Sequence, residues 1–514
     1  MAAHRKRVLI AVCTGVFLGA IDFYIVSIAV PDLLRSFSHA GIAEISWVIN
    51  GYAITYTAAL LPAGGLADRF GRRRVFLLGL GTFLVSALAC AAARSVPELI
   101  AARCVQGVGG GTITPLALTL ILPQFPAERR GSAIGLWSAT QSAAVAAGPS
   151  AGGALVAALG WRGVFLLQVP IGLAALAGAA TALTPERPLT PGPATGPGAP
   201  AGPGAPQPSP AGTATGPGHP PPAGTPAGPG RPQPTADRPP NPDLAGVLLL
   251  AGGIGLVALA IVQSHAWGAL AWRTGLALGA GLVLGLLFVR RALTKPAPVI
   301  DLALLRNRAV RRPNGVMLLI GLVMFTLPVA SVLFLTGVWG YSAARAGLAI
   351  TPGPVMQTFA ALAGGRLCNK FGPRALAVPA CALLAASTLA LALAAGPQSR
   401  YWAVIFPAVI CGSAAVGLVI TALSAAVVSG TPPGQLAAGT SMSVTARAAG
   451  AIVSLSAFAL LLSALPGGTR TPLAFRVAWA GMTAIALVAM AAARALGRPG
   501  DRVTGHRPAD PAPR

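Results

Sequence analysis

Negative charge is scarce in this chain: 12 Asp and Glu stand against 37 Lys and Arg in 514 residues, and charged residues make up only 10%. Beside 54% hydrophobic residues and a mean hydropathy of +0.71, so little charge excludes an ordinary water-soluble globule. The six cysteines (Cys13, Cys90, Cys104, Cys368, Cys381 and Cys411) lie in or beside apolar runs without paired ligand spacing, so they read as free packing thiols and not as a metal site. The five histidines fall in loops, tails or near helix ends, and none forms a dyad with an acid or a nucleophile, which argues against a membrane-bound transferase. No Gly-x-x-x-x-Gly-Lys-Ser/Thr loop is present to hold nucleotide phosphates. No cofactor is expected, and any work across a membrane must draw on an ion gradient.

What the chain has instead is apolar length. Repeated runs of about 20 residues match a ~30 Å hydrocarbon core, and fourteen of them lie between residues 8 and 495. The net charge of +25 would suit nucleic acid, but its placement points to a membrane. With both termini cytoplasmic, the inner segments collect most of the Lys and Arg, among them Arg5, Lys6, Arg7, Arg72 to Arg74, Arg290, Arg291, Arg311 and Arg312. That asymmetry orients the spans, and adding or removing one would scramble it. The first span is longer than a signal-peptide core and has no small-residue cleavage site after it, so it is expected to be retained.

Residues 184–242 change to Pro, Gly, Ala and Thr with almost no large apolar side chain and read as a disordered cytoplasmic linker. The charged turn Gly64-Gly65-Leu66-Ala67-Asp68-Arg69-Phe70-Gly71-Arg72-Arg73-Arg74 has a weak echo in Gly364 to Arg374, with Asn369 where Asp68 stands. The echo follows the original by eight spans. This organisation predicts an N-terminal six-helix bundle over 1–183, the linker, an extra helix pair with a cytoplasmic interfacial segment over 243–312, a C-terminal six-helix bundle over 313–495 and a cytoplasmic tail over 496–514. The expected fold class is an all-α polytopic membrane protein. The glycines of the charged turn are expected to permit a sharp reversal, with Asp68 capping or pairing and the arginines held at the cytoplasmic surface.

Among the acids, only Asp22 is clearly intramembrane, about 12 Å from the outer end of the first span. An acid in lipid costs roughly 3 kcal/mol. Gly15, Gly19 and Asp22 share one helix face, which should turn from lipid. Arg103, in the fourth span, sits at similar depth. An apolar setting favours a protonated carboxyl and a neighbouring guanidinium favours an ionised one, so a proton carrier and a structural buried pair both remain open. Arg447, in the thirteenth span, is the other buried cation, suited to backbone carbonyls or to substrate. In the fifth span, Gly148 and Gly152 let a neighbouring helix approach and Pro149 is expected to bend the helix.

Together these residues resemble the fourteen-helix drug:proton antiporter family of the major facilitator superfamily. The run Ile21-Asp22-Phe23-Tyr24-Ile25-Val26-Ser27-Ile28-Ala29-Val30-Pro31 is similar to the family's first-helix motif, with Tyr24 and Ser27 replacing Thr and Asn. Gly64 to Arg74 fits its signature loop; Leu99, Arg103, Gln106, Gly107 and Gly109 its helix-four motif; Gly148-Pro149 with Gly152-Gly153 its antiporter motif. Trp161-Arg162 with Val169 to Gly172, and Arg447 to Gly450, resemble two further family segments.

The resemblance implies a major facilitator fold of two six-helix halves plus two extra helices, and proton-coupled efflux of drugs or antibiotics across the cytoplasmic membrane by alternating access. It implies proton coupling at Asp22 and Arg103 and a gate built from Gly64, Asp68, Arg69, Gly71, Arg72 and Arg73. It also implies a hinge at the Gly148, Pro149, Gly152 and Gly153 motif, and substrate contact at Tyr24, Gln141 and Arg447. The implied partners are a small amphiphilic substrate, protons and the bilayer, with no nucleic acid, and the chain is expected to be a monomer. With no acid in the tenth span, neutral, zwitterionic or weakly anionic amphiphiles fit better than dications, on the strength of Arg103 and Arg447. Asn369 in place of a second Asp puts gating by that half in question. An importer, a specific metabolite exporter and a non-transporting receptor remain as alternatives.

Overall fold

The computed structural model describes residues 2–40, 42–183, 243–268, 271–295, 303–464 and 471–496. The expected linker, most of the interfacial segment and nearly all of the C-terminal tail lie outside these residues. Every described element is helical, as a chain in lipid requires when each backbone N–H and C=O must be satisfied within its own segment.

The first half comprises α1 (Ala2–Ser36), α2 (Ile42–Phe70), α3 (Arg72–Ala92), α4 (Val96–Ile121), α5 (Arg130–Leu166) and α6 (Gln168–Ala182). Two further helices follow, α7 (Leu244–Trp267) and α8 (Trp272–Thr294). The second half contains the short α9 (Ala303–Arg306), then α10 (Arg308–Met324), α11 (Thr326–Gly337), α12 (Ala343–Ile350), α13 (Pro352–Phe371), α14 (Pro373–Ala394), α15 (Phe406–Gly430), α16 (Leu436–Ala464) and α17 (Pro472–Ala493). Eight helical segments among the described residues are long and apolar enough to cross a membrane. Their outer faces carry exposed Leu78, Leu276, Leu286 and Trp402, the pattern of helices solvated by lipid.

Several expected continuous spans are broken for identifiable reasons. The span expected over 313–338 divides into α10 and α11 at Phe325, where Pro328 has no N–H to give the Met324 carbonyl. Gly160, with φ 66, by contrast turns the chain between the expected fifth and sixth spans, 132–157 and 163–183, and the Asp32 carboxylate accepts from the Trp161 N–H at 2.8 Å to secure the new helix start. The largest correction concerns the charged turn. Gly64 to Phe70 continue α2 as helix, and the reversal is confined to Gly71, whose φ of 93 is costly for a residue bearing a Cβ. The same device recurs at Gly372, φ 84, between α13 and α14. Gly64 is therefore a packing residue: a Cβ there would run into Ser441 and the Ala437 carbonyl of α16.

In the first half α2 and α3 pack on α4, and α1 packs on α5 and α6. In the second, α15 packs on α13 and α14, while α10 packs on α15, α16 and α17. The halves meet where α2 faces α16 and α5 faces α13, and α7 lies against both α2 and α16. This seam is extensive enough that the described parts of Met1–Pro185 and Asp243–Arg514 form one compact unit.

The extra pair is held by Asp243, the N-cap of α7, whose Oδ1 accepts from the Gly246 N–H at 3.1 Å, Arg291 Nε at 2.7 Å and Lys295 Nζ at 3.1 Å. Burial alone would raise the Asp243 pKa, but the hydrogen bonds from Arg291 and Lys295 outweigh it and hold the carboxyl below its usual value. A carboxylate so lowered stabilises the fold above the unfolded-state value, about 3.9, and loses that contribution as pH falls through its own pKa. Asp243→Ala should thus lower the melting temperature of the purified protein at neutral pH, in line with a cap loss of about 1 kcal/mol. The gap from the unaltered protein should close only under strong acid, and a gap that closes between pH 7 and 6 would contradict this account.

Candidate functional site: a buried polar ring and the seam between halves

Asp22 is fully buried in α1, and its surroundings are supplied by three other helices. From α4, Arg103 Nη1 donates to Asp22 Oδ2 at 2.6 Å and to Gln106 Oε1 at 2.7 Å. From α6, Gln168 Nε2 donates to Asp22 Oδ1 at 2.8 Å, and Gln106 Nε2 donates to Gln168 Oε1 at 2.9 Å and more weakly to Asp22 Oδ1 at 3.4 Å. The four side chains close a ring in which every bond runs from a definite donor to a definite acceptor. From α2, the Val48 carbonyl takes the Arg103 Nε–H at 3.1 Å, and the Tyr52 ring lies 4.2 Å beneath the guanidinium. The Tyr52 hydroxyl in turn donates to the Gly19 carbonyl at 3.1 Å, tying α2 to α1 just below Asp22.

Asp22 and Arg103, set at similar depth by the sequence, are thus in direct contact. Gln106 of the helix-four motif joins them, and Gly107 beside it lets α2 approach so closely that a Cβ would meet the Tyr52 carbonyl. Gln168 was not anticipated. The signal was available: one amide in the apolar run Phe165-Leu166-Leu167-Gln168-Val169, where a polar side chain needs a partner.

Arg447 lies elsewhere, in α16 at the seam between halves, and its Nη2 donates to Gln141 Oε1 of α5 at 3.1 Å. Arg447 acts electrostatically on Tyr56, whose hydroxyl donates to Thr114 Oγ1 at 3.1 Å. Thr440, Ser443 and Arg447 share one face of α16 by their spacing, and Thr440 Oγ1 donates to the Pro115 carbonyl of α4 at 3.3 Å. Gln141 Nε2, Ser138 Oγ and Ser443 Oγ in the same region are buried without a hydrogen-bond partner. Arg103 is consumed by the ring. Its guanidinium lies 2.6 Å from a buried carboxylate, whereas Arg447 meets the neutral Gln141 amide.

At one end of the seam the two repeat segments make matching closures. Asp68 accepts from the Ala437 and Ala438 N–H groups at 3.2 and 2.9 Å, capping the exposed amides of α16 while Arg72 stands 3.6 Å away. Asn369 accepts from the Gly131 N–H at 2.7 Å and donates to Ser132 Oγ at 2.9 Å, capping α5. Arg73 holds neither closure; it donates to the Ala180 carbonyl at the end of α6 at 2.8 Å. Arg69 is exposed beside Phe70. α5 stays helical through Gly148, Pro149, Gly152 and Gly153, and the Tyr24 side chain lies outside the described residues.

The model of the Major Facilitator Superfamily matches residues 12–226 and 244–455. The chain is 30% identical over 380 residues to the tetracenomycin C resistance and export protein of Streptomyces glaucescens, covering 74% of this chain and 62% of that protein. It is 27% identical over 399 residues to the methylenomycin A resistance protein of Bacillus subtilis (77% and 74% covered). With the multidrug resistance protein Stp of Mycobacterium tuberculosis it shares 26% over 466 residues (90% and 77% covered). Among solved structures, the human organic anion transporter MFSD10 superposes with a TM-score of 0.60 at 16% identity (95% and 99% covered), and the proton:xylose symporter XylE with 0.58 at 15% (97% of each). At these identities the structures speak for the fold alone.

Removing one partner of a buried ion pair strands the other charge, at a cost of about 3–5 kcal/mol, whereas replacing both with apolar side chains is often near neutral. Arg103→Ala should therefore lower the thermal stability of the purified protein markedly, and Asp22→Leu combined with Arg103→Met should recover most of the loss. Strictly additive single and double losses would show that the pair is not coupled in the folded state.

Proposed function

The chain belongs to the major facilitator superfamily and is a multi-pass membrane transporter of small molecules, and from that premise we propose that it exports drugs or antibiotics from the cytoplasm in exchange for protons. The observation that carries this reading is the buried ring at Asp22. An acid in lipid is expensive unless it works, and this one sits in contact with a cation that its protonation would release. Relatives named for antibiotic resistance and export support the direction of transport.

In this reading the chain crosses the cell membrane fourteen times as two six-helix halves with α7 and α8 as the added pair, works as a monomer and keeps both termini in the cytoplasm. The Asp68 and Asn369 closures form the cytoplasmic gate, so the described conformation is one shut on that side. The Gly148 to Gly153 segment of α5 is the hinge. Arg447, Gln141, Ser138 and Ser443 face the cargo. A fixed cation and unpartnered donors, with no described acid among them, suit an oxygen-rich neutral or anionic amphiphile over a dication.

Expression in a pump-deficient bacterium challenged with an antibiotic panel tests the reading. Resistance should appear toward a subset of oxygen-rich compounds and vanish in Asp22→Asn at normal membrane abundance. Resistance unchanged by Asp22→Asn would remove Asp22 as the proton site. Arg447→Gln should narrow resistance toward acidic compounds more than toward neutral ones; an equal loss for both would remove Arg447 as the selective contact.

A further inference from the structure

The ring around Asp22 has a direction. Both carboxylate oxygens accept, Oδ1 from Gln168 and Oδ2 from Arg103, so the arrangement is that of the ionised acid. Gln168 Oε1 accepts from Gln106, and Gln106 Oε1 accepts both from Arg103 and from the Cys90 thiol, 3.6 Å away in α3. Each amide is therefore oriented by its neighbour, and the sense of the chain is set at one end by the charge on Asp22.

We propose that Gln168 is a positioning residue that, with Gln106, converts proton binding at Asp22 into release of Arg103 by reversal of the two side-chain amides. The step balances as a proton uptake: a hydronium ion gives its proton to Oδ1 and leaves water, and Asp22 becomes neutral and a donor. Gln168 must then present Oε1 to the new O–H, which turns its NH2 toward Gln106. Gln106 must present Oε1 to that NH2, which turns its own NH2 toward Arg103 Nη1. Two donors now face each other, and neither can satisfy the other. Reversal costs little in shape because amide oxygen and nitrogen are nearly the same size and the terminal torsion is soft and roughly two-fold.

Arg103 thus loses the charge on its partner, whose Oδ2 stays only as an uncharged acceptor, and loses the Gln106 oxygen in the same event; it keeps the Val48 carbonyl and the Tyr52 ring. Both belong to α2. Release therefore leaves α4 held to α2 by Arg103 and to α6 by the reversed Gln168–Gln106 bond, and weakens its hold on α1, which is a defined way to loosen one side of the bundle. Without Gln168 the carboxyl could still take a proton, but only the long 3.4 Å contact of Gln106 with Oδ1 would be left to turn Gln106. The charged and titratable groups bearing on Asp22 are Arg103 of α4, Tyr52 of α2 and Cys90 of α3.

The inference rests on Asp22 as the proton site, and infrared spectroscopy of the purified full chain separates the two claims. The Cys90 S–H stretch lies in a clear spectral window and reports whether Gln106 offers its oxygen. Lowering the pH should produce a carboxylic C=O band, absent in Asp22→Asn, together with a shift of the S–H band to higher frequency, absent in Cys90→Ala. In Gln168→Met, which keeps the length of the side chain, the C=O band should persist and the S–H shift should be lost. Gln106→Met breaks the next link and should likewise keep the C=O band, with a Cys90 S–H band indifferent to pH. A C=O band in the unaltered protein without the S–H shift, or a shift that survives Gln168→Met, would overturn the relay and leave Asp22 as the proton site. No C=O band assignable to Asp22 at any pH would overturn both.

Discussion

The contact on which the first half depends is that between Arg103 and Asp22, 2.6 Å apart and shielded from water. In a low-dielectric interior neither charge is tolerable alone, and the attraction repays burial only when every remaining donor and acceptor is also met. That requirement explains the rest of the local design. Tyr52 and Val48 serve the guanidinium, Gln106 and Gln168 serve the carboxylate, and Gly19 and Gly107 bring α1 and α2 near enough to α4 for these groups to touch. Four helices are thereby fixed to one another through polar atoms in a region where hydrophobic packing alone would not distinguish them from lipid-solvated helices.

The closures at Asp68 and Asn369 show what the internal repeat preserves and what it lets vary. Both residues follow a glycine that crosses a helix of the opposite half, and both precede a glycine with positive φ, so each side chain reaches the amides of a helix start across the seam. The geometry is common to the two, but the charge is not. A carboxylate on a helix N-terminus gains roughly 0.3–1 kcal/mol from the dipole, to which an amide adds only its hydrogen bonds. The α16 closure is thus the stronger and the more sensitive to salt, and the α5 closure compensates by bonding both a backbone N–H and the Ser132 hydroxyl. Replacing Asp by Asn in the second repeat alters the strength of that closure and does not abolish it.

Much of this was legible in the residues. Apolar length located the helices because lipid imposes one requirement on every span, and the scarcity of acids singled out Asp22 because an intramembrane charge is too costly to be incidental. Arg103 followed from depth alone. Three things were hidden. Gln168 carries no charge to draw attention, and its importance depends on α6 lying against α1, which no local pattern encodes. The extent of α2 through Phe70 was masked by glycines that usually end helices but here serve a crossing with α16. The separate fates of Arg72 and Arg73, one beside Asp68 and the other on the end of α6, turn on a difference of one residue in helix phase.

The two polar centres are joined by a single helix. Arg103 and Thr114 both belong to α4, about 16 Å apart along its axis; the first holds the ring, and around the second gather Tyr56 of α2, Trp137 of α5, whose Nε1 donates to the Thr114 carbonyl at 3.3 Å, and Thr440 of α16 on the adjacent Pro115 carbonyl. A shift of α4 relative to α1 therefore reaches the Arg447 and Gln141 contact through packed helix rather than through a chain of small adjustments. Magnitudes decide whether that is sufficient. Driving a two-state equilibrium from 1:99 to 99:1 takes about 5.5 kcal/mol, and loss of a buried ion pair is worth about 3–5 kcal/mol. On the proposed reading, proton binding at Asp22 is of the right size to bias the seam but not to commit it alone. In the proposed exchange the balance comes from the cargo at Arg447, and a need for two contributions would keep the exchanger from leaking protons without moving substrate.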